Sequence, residues 1–299
     1  MAGKCPPELE AEFIQDCATL TVGTLEVKYN RCASTIREWR LELRNEGKIR
    51  WWPGIRLMID PPTVTAVEVE GDFIVTGDLE IPYHDGELLG YAVSLAQKFG
   101  IKKLIVAGDF VAMDELSPFP QEIGTMHTLS DTVAEGRMVL EDLVEWFEEI
   151  LLIKGNHEQR GSRAREIGFY NLLERTWDLP EVTISYYKWC RVISGENLYR
   201  IEHPKNYAKA PGSVARERAE IEEESVLCGH THHMSWSFAK NGKHQAIDIG
   251  HCTRPECRYY IAANGTTRYP KWNAGFWMIR NGYLYPFPKE TTDWDFWLS

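Results

Sequence analysis

Four short apolar runs in this chain end in the same way, with a glycine followed by a residue that can bind a metal ion. The runs are FIVTGD, KLIVAGD, ILLIKGN and SVLCGH, and they end at Asp78, Asp109, Asn156 and His230. A fifth run, NLYRIEH, ends at His203. Runs of this kind predict buried strands of an α/β sheet, and ligands bind at the carboxyl ends of such strands. We therefore expect these five side chains to converge on one edge of a sheet.

The residue types at these strand ends suit divalent metal ions. Carboxylate and amide oxygens mixed with imidazole nitrogens are ligands for Mn²⁺, Mg²⁺, Fe²⁺ or Zn²⁺. The set is larger than one ion needs, and two ions roughly 3.5–4 Å apart can activate a hydroxide and clamp the oxygens of an in-line phosphoryl displacement. Glycine before a ligand lets the backbone approach the site without a Cβ clash. The residues alone therefore predict a binuclear metallohydrolase.

The motifs GD, GD, GNHE, a lone histidine and GHTH follow one another between about Val67 and Pro286. In this order and spacing they resemble the calcineurin-like metallophosphoesterase superfamily, and the sequence is most similar to bacteriophage members. The resemblance implies an α/β (α+β) fold, a four-layer αββα sandwich of two mixed sheets with helices outside.

The resemblance also implies how two metal ions are held. Asp78 and His232 would hold the first ion, and Asp109 would bridge both. The second ion would be held by Asp109 together with Asn156, His203 and His230.

Three residues of the GNHE region would complete this site. The resemblance implies that His157 stands beside the phosphate as a general acid or as a donor to the transition-state oxygens. Glu158 would orient that group through a contact behind it. Arg160 is a candidate contact for a substrate phosphate, because a guanidinium pairs well with phosphate oxygens.

The first motif departs from the family pattern. The family has Asp-x-His, whereas this chain has Asp78-Leu79-Glu80. Three interpretations are open: Glu80 replaces the imidazole, His84 takes its place, or the first metal site is weak and activity is reduced. We prefer Glu80, and since a carboxylate favours harder ions, Mn²⁺ is the favoured cofactor, with Mg²⁺, Fe²⁺ and Zn²⁺ as alternatives.

The Pro- and Gly-bearing stretch Trp51–Thr63 separates a helical N-terminal region from the α/β region. We expect residues 1–60 to form a small helix-turn-helix-like domain and residues 61–299 to form the catalytic domain. The predicted helices of the first domain are Glu8–Asp16, Thr24–Tyr29 and a third that is capped by Ser34 or Thr35 and runs to about Asn45.

The third predicted helix has an apolar and a basic stripe. Ile36, Trp39 and Leu43 fall on one face, and beside them, within an arc of roughly 60°, fall Arg37, Arg40 and Arg44. The stretch 28–56 carries eight basic and three acidic residues, a local net charge of +5 in a chain whose total is −11. An arginine stripe on such a helix is typical of DNA recognition, with residues 48–56 as a basic wing. A purely structural helical cap is the alternative.

The catalytic region alternates strand and helix patterns up to about Thr183 and then turns to strands. Asn-Gly pairs at 241–242 and 281–282 predict tight hairpin turns. The predicted helices of this region are Gly86–Phe99, Asp131–Glu149 and Ser162–Trp177.

These features predict a metal-dependent phosphoesterase that acts on a nucleic-acid phosphodiester and binds DNA through its N-terminal domain. Two alternatives are a phosphatase or nucleotide phosphodiesterase with a structural cap, and a DNA-binding regulator with a weakened phosphoesterase site.

No apolar run approaches the roughly 18 residues of a membrane span, so no membrane partner is expected. Seven scattered cysteines and the absence of an apolar leader predict a cytoplasmic location, bacterial or in a phage-infected host.

Overall fold

The computed structural model describes residues 4–17, 20, 22–48, 67–117, 127–162, 173, 175–185, 187–257 and 272–299. The chain divides into two compact units, Met1–Thr65 and Ala66–Ser299. The predicted domain boundary after residue 60 and most of the predicted basic wing lie outside the described residues.

Among its described residues, the N-terminal unit has three helices, α1 (Pro7–Cys17), α2 (Val22–Tyr29) and α3 (Ala33–Asn45). The three-residue turn between α2 and α3 contains Asn30 in the left-handed conformation (φ 50°), which asparagine tolerates better than most residues. The prediction that Ser34 or Thr35 caps α3 is wrong. The Cys32 carbonyl already accepts a hydrogen bond from the backbone N–H of Ile36 (3.1 Å), so both hydroxyl residues lie inside the first turn.

The apolar stripe of α3 forms the core of this unit, as predicted. Ile36, Trp39 and Leu43 are buried. They pack with Phe13 of α1, whose ring lies edge-on to the Trp39 indole with centroids 5.4 Å apart. Because each helix is too short to be stable alone, this shared core holds the unit together.

The basic stripe of α3 is only partly available to a ligand. Arg37 is exposed, but Arg40 is only 5% exposed. The Arg40 guanidinium donates to the Leu20 carbonyl (2.9 Å) and to the Cys17 Sγ (3.2 Å), so it links α3 to the end of α1. The prediction that Arg40 contacts DNA is therefore wrong. The side chain of Arg44 lies outside the described residues.

Ion pairs within the unit neutralise part of its basic charge. Lys28 lies 2.6 Å from a carboxylate oxygen of Asp16 and 2.8 Å from one of Glu12. Lys48 lies 2.6 Å from a carboxylate oxygen of Glu10. The local excess of positive charge is therefore smaller on the folded surface than in the linear sequence.

The second unit is built on two six-stranded sheets, which confirms the predicted α/β sandwich. The first sheet has the order β1-β6-β7-β8-β10-β9 and the second has the order β12-β11-β2-β3-β4-β5. The strands are β1 Val67–Glu70, β2 Phe73–Thr76, β3 Lys103–Val106, β4 Glu149–Leu152, β5 Val182–Ile184, β6 Trp189–Ser194, β7 Asn197–Glu202, β8 Ser225–Cys228, β9 Met234–Phe238, β10 Gln245–Ile249, β11 Gly275–Arg280 and β12 Tyr283–Pro288.

Side-chain alternation along the strands creates the layers. In β2, Phe73 and Val75 join a core that also contains Ile201 of β7, so this core lies between the two sheets. Ile74, between them, faces the opposite way and packs with Leu95 of a covering helix. On the other sheet, small residues of a helix pack against β8 and β10. The covering helices are α4 (Gly86–Phe99), α5 (Leu129–Val144) and α7 (Ser213–Glu222).

Two further helices, α6 (Glu158–Ser162) and α8 (Trp294–Leu298), are short.

Helix α4 has the predicted bounds, because Asp85 caps it by accepting from the backbone N–H of Leu88 (3.1 Å) and Gly100 ends it with φ 68°. Helix α5 ends five residues before the predicted Glu149, because that residue begins β4. Most of the predicted helix Ser162–Trp177 lies outside the described residues.

The two Asn-Gly pairs do form hairpin turns, as predicted. Asn281 and Gly282 have φ values of 51° and 80° and join the antiparallel strands β11 and β12. The pair at 241–242 lies between the antiparallel strands β9 and β10. Within the described part of the chain, no helix combines the length and the apolar character that crossing a membrane requires.

Candidate metal centre

The five strand ends marked by the sequence meet at one edge of the sandwich. Asp78, Asp109 and Asn156 follow the parallel neighbours β2, β3 and β4, whereas His203 and His230 follow the parallel neighbours β7 and β8. His203 Nε2 lies 3.0 Å from Asn156 Oδ1 and 3.3 Å from Asp109 Oδ2. The backbone N–H of His230 donates to Asp78 Oδ2 at 2.9 Å. Ligands from both sheets therefore share one site.

Three of the glycines before these residues are required by the close approach of neighbouring strand ends. A Cβ at Gly155 would overlap the Asp109 carboxylate, and one at Gly108 would overlap the His203 ring. A Cβ at Gly229 would lie 2.6 Å from the Ala107 carbonyl oxygen. Any larger residue at these positions would push the ligands apart.

Several site residues have backbone conformations that non-glycine residues avoid. Asp78, Glu80 and Asp109 each have φ 50°, and His230 and His232 have φ 76° and 58°. Such conformations cost on the order of 1–3 kcal/mol each and are kept where the surrounding structure requires them. Their concentration here indicates that the fold sacrifices local backbone stability to aim these side chains.

One group of ligand atoms joins a residue that follows a strand of the second sheet to two histidines that follow strands of the first sheet. Asp109, His203 and His230 place their ligand atoms within 4.8 Å of one another. His203 Nδ1 lies 2.8 Å from the Ala107 carbonyl, to which it can only donate, so Nε2 is left as a ligand atom. This arrangement, with one ring nitrogen bonded to a carbonyl and the other presented to the site, is typical of metal-binding histidines.

A second group contains Glu80. The ligand atoms of Glu80, Asp109 and His157 lie within 4.8 Å of one another, and His157 Nε2 is 3.4 Å from Glu80 Oε1. Nearby, His232 Nε2 lies 3.3 Å from Asp78 Oδ1. His84 pairs through its backbone with Thr253 and belongs to neither group. The geometry therefore favours Glu80 over His84 as a ligand.

Replacing Glu80 by alanine should lower metal affinity at one site by at least about 10–100-fold, the loss typical of removing even an outer partner of a metal ligand. Elemental analysis of dialysed protein, combined with Mn²⁺-dependent thermal shifts, measures this. Glu80→His should restore binding with an altered preference among ions. The interpretation is wrong if Glu80→Ala binds metal normally while His84→Ala does not.

The Glu158 carboxylate binds the backbone of the two loops that carry Asp109 and Asn156. Its carboxylate accepts the backbone N–H groups of Gly155 (2.8 Å), Val111 (3.1 Å) and Asp109 (3.2 Å). Burial, and then the charge of Asp109, raise the pKa of Glu158 to about 7. We expected Glu158 to orient the His157 side chain; the structure shows that it joins the loops after β3 and β4 instead.

Arg160 lies against His157. Its guanidinium donates to His157 Nε2 (2.9 Å) and to the Ala112 carbonyl (2.7 Å), and it lies 3.6 Å from Asp114 Oδ1. The sequence suggested Arg160 as a phosphate contact. In the folded chain it also fixes the orientation of the His157 ring.

Buried charges make the site suited to cations. Asp78, Glu80 and Asp109 are each no more than 2% exposed. Burial by itself raises the pKa of Asp109, but the neighbouring His157 and His203 hold it well below its ordinary value. Burial by itself lowers the pKa of His203, but Asp109 and Asp78 raise it to about 9. Buried carboxylates need positive partners, and a set of oxygens and imidazoles fits divalent ions.

His251 is a neighbour of the site that the sequence interpretation missed. In fact β10 is followed by Gly250, with φ 96°, and then by His251, which is the same signal as at the other strand ends. The His251 ring centroid lies 5.3 Å from that of His232, and the Trp272 indole lies 4.2 Å from His232.

Comparisons with known proteins found similar solved structures and no matching family model. No protein-family model matches the sequence, and no curated protein matches it. Among solved structures, the chain is similar to Yfce, a phosphoesterase from E. coli, with 14% identity and a TM-score of 0.39 over 71% of this chain and 90% of that one. It is similar to Vacuolar Protein Sorting 29 from Cryptosporidium parvum, with 16% identity and a TM-score of 0.37 over 73% and 96%.

A third similar structure is Vps29 from Entamoeba histolytica complexed with zinc, with 10% identity and a TM-score of 0.38 over 74% of this chain and 94% of that one. At these identities the similarity says nothing about the substrate of this chain. The strand order and the motif residues gathered at one edge are this chain's own. The second unit is an α/β sandwich of two six-stranded sheets, as the resemblance of its motifs to the calcineurin-like metallophosphoesterases implies.

Proposed function

We propose that this chain is a binuclear, metal-dependent phosphoesterase. The observation that carries the proposal is the position of Asp109, which belongs to both groups of ligand atoms. It groups with His203 and His230, and separately with Glu80 and His157. A carboxylate shared by two groups of ligands is the arrangement that a bridging ligand requires.

The donor set favours hard divalent ions. Asp78, Glu80, Asp109 and Asn156 supply oxygen atoms, and the histidines supply nitrogen, which suits Mn²⁺ or Mg²⁺ better than ions that prefer thiolates. We propose Mn²⁺ as the cofactor. When bound, two such ions provide an activated hydroxide and neutralise charge on the phosphoryl oxygens.

His157 and Arg160 supply the groups that act beside the ions. The His157 backbone N–H donates to Asp109 Oδ1 (2.8 Å), so the backbone that carries the ring is fixed to this carboxylate. Arg160 holds that ring and adds a positive charge where negative charge develops during phosphoryl transfer. For His157 to protonate the leaving oxygen or donate to a phosphoryl oxygen, its Nε2 must carry a proton, so the proposal requires the substrate oxygen to replace the Arg160 contact at that nitrogen.

We further propose that the substrate is a nucleic-acid phosphodiester and that the N-terminal unit binds DNA. The support is the shape of that unit, in which α2 and α3 are joined by a three-residue turn, as in helix-turn-helix modules. Arg31 and Arg37 are exposed on it. A tethered DNA-binding unit raises the concentration of DNA near the metal site.

Metal-dependent turnover of simple esters tests the proposal. The metal-depleted protein should hydrolyse bis(p-nitrophenyl) phosphate only after Mn²⁺ is added, and it should prefer this diester to p-nitrophenyl phosphate and also cleave DNA. Preference for the monoester would make the chain a phosphatase. Binding of DNA and metal without any turnover would instead identify a regulator with a disabled site.

DNA binding by the N-terminal unit is tested by Arg37→Ala. Each lost phosphate contact should reduce the slope of log affinity against log salt by about 0.9, measured by fluorescence anisotropy at several salt concentrations. Lys102→Ala, which removes an exposed charge at the far edge of the sheet, is the control. An unchanged slope in the folded double variant Arg31→Ala/Arg37→Ala would reduce the unit to a structural cap.

A further inference from the structure

A cavity of about 360 Å³ lies beside the metal centre. This volume falls within the range of about 300–1,000 Å³ that is usual for small-molecule sites. The residues that decide its chemistry are Asp85, His251, Arg254, Trp272, Asn273 and Lys289.

The sheet topology puts this cavity on the same edge as the metal ligands. Strands β12, β11 and β2 are neighbours, and β11 runs antiparallel to both of the others. The start of β11, the end of β12 and the end of β2 therefore coincide. Trp272 and Asn273 precede β11, Lys289 follows β12, and Asp78 follows β2. Since strands are about 4.8 Å apart, the cavity lies roughly 10 Å from Asp78, on the side away from Asn156.

One ring separates the cavity from the first metal ligands. The Trp272 indole in the cavity wall lies 4.2 Å from the His232 ring, and His232 Nε2 lies 3.3 Å from Asp78 Oδ1. His251, in the same wall, is 5.3 Å from His232. The cavity and the candidate metal centre therefore share the Trp272 and His251 rings as a common wall along one edge of the sheet.

The charges in the wall argue against a second phosphate. The Lys289 ammonium is 2.7 Å from a carboxylate oxygen of Asp85 and 2.8 Å from one of Glu87, so its charge is balanced. Arg254 shares the wall with Glu256. With Glu290 also in the wall, the cavity has three carboxylates and two cations, so its charges do not favour an anion, and the aromatic surface and guanidinium suit an uncharged, planar, polar group.

We propose that this cavity binds the nucleobase of a nucleotide that flanks the scissile phosphodiester. The Trp272 indole is the stacking surface, and the Arg254 guanidinium donates to acceptors on the base edge. The proposal rests on the proposed function, which supplies the phosphodiester. From the cavity in the second unit we infer that the substrate is a nucleotide ester. This inference does not depend on whether the N-terminal unit binds DNA.

Matched esters test the proposal in the Mn²⁺-loaded full chain. Methyl p-nitrophenyl phosphate is compared with the 5′- and 3′-(p-nitrophenyl phosphate) esters of thymidine, which share its leaving group. The chain should prefer at least one thymidine ester, judged by kcat/KM. Trp272→Ala should reduce that preference about 5- to 100-fold, the range expected for loss of one base stack. Arg254→Ala should reduce it as well.

The controls separate stacking from damage to the metal centre. Trp272→Phe retains an aromatic face and should keep most of the preference. Trp146→Ala removes an indole that is 44% exposed beside the start of β4, at the opposite edge, and should keep all of it. The proposal is overturned if the methyl ester is hydrolysed as well as both thymidine esters, or if the preference survives in both Trp272→Ala and Arg254→Ala.

A binding measurement keeps the two proposals distinguishable. If no ester is hydrolysed with any metal, the proposed function fails. Equilibrium dialysis of thymidine 5′-monophosphate then tests the cavity alone: binding to the chain that is lost in Trp272→Ala supports a base site, and binding that is unchanged in Trp272→Ala overturns it. The absence of any binding at millimolar nucleotide also overturns it.

Discussion

Replacing Asp109 by asparagine should abolish hydrolysis and weaken the binding of both metal ions. Asp109 is the residue shared by the two groups of ligand atoms, so loss of its charge affects both. Asparagine keeps the acceptor for the His157 N–H, which lies 2.8 Å from Asp109 Oδ1, so the fold is expected to survive. The loss of one stabilising hydrogen-bond donor lowers kcat by about 10²–10³. We expect the hydrolysis rate of Asp109→Asn to fall by a larger factor.

Elemental analysis after dialysis, together with the rate on bis(p-nitrophenyl) phosphate, measures the effect. Asp142→Asn makes the same change on the exposed side of α5 and should leave metal content and rate unaltered. A folded Asp109→Asn protein that retained two ions and normal turnover would rule out the bridging role. Loss of a single ion would show that Asp109 serves only one group.

Replacing His157 by alanine should lower kcat by about 10²–10⁴, the usual effect of removing a positioned acid. The metal content should stay close to that of the unaltered chain, because the proposed role of His157 is on the substrate side of the ions. Single-turnover hydrolysis and elemental analysis on the same preparation distinguish the two quantities.

The structure also allows a competing role for His157, since its ligand atom lies close to Glu80 and Asp109. Under that role, His157→Ala would lose an ion together with activity. Arg160→Ala is the informative companion. It frees the His157 ring without removing it and also removes a positive charge, so a smaller loss of rate at unchanged metal content would show that Arg160 acts on the substrate side of the ions.

The candidate site was largely predictable because its signal is local. A buried strand followed by glycine and a polar residue places that residue at a sheet edge, whatever the rest of the chain does. The same rule, applied to β10, would have found His251. The helices with complete capping signals were equally predictable, as α4 shows with Asp85 before it and Gly100 after it.

Other predictions failed where a distant segment decided the outcome. On the isolated helix α3, Arg37 and Arg40 belong to one basic stripe. In the folded unit Arg40 is buried because α1 ends beside it and offers the Cys17 Sγ and the Leu20 carbonyl, from 23 and 20 residues away. A helical wheel shows the direction of a side chain but not which neighbour occupies that direction.

The α/β sandwich, the order of its strand-end ligands and the glycines that admit them follow from the amino-acid sequence, because each depends on a few consecutive residues. The folded chain was needed to show that Glu80 lies with Asp109 and His157, that Glu158 holds backbone, and that Trp272 forms a cavity wall beside His232. These contacts join segments 29 to 77 residues apart, and their distances follow from how neighbouring strands and the two sheets pack.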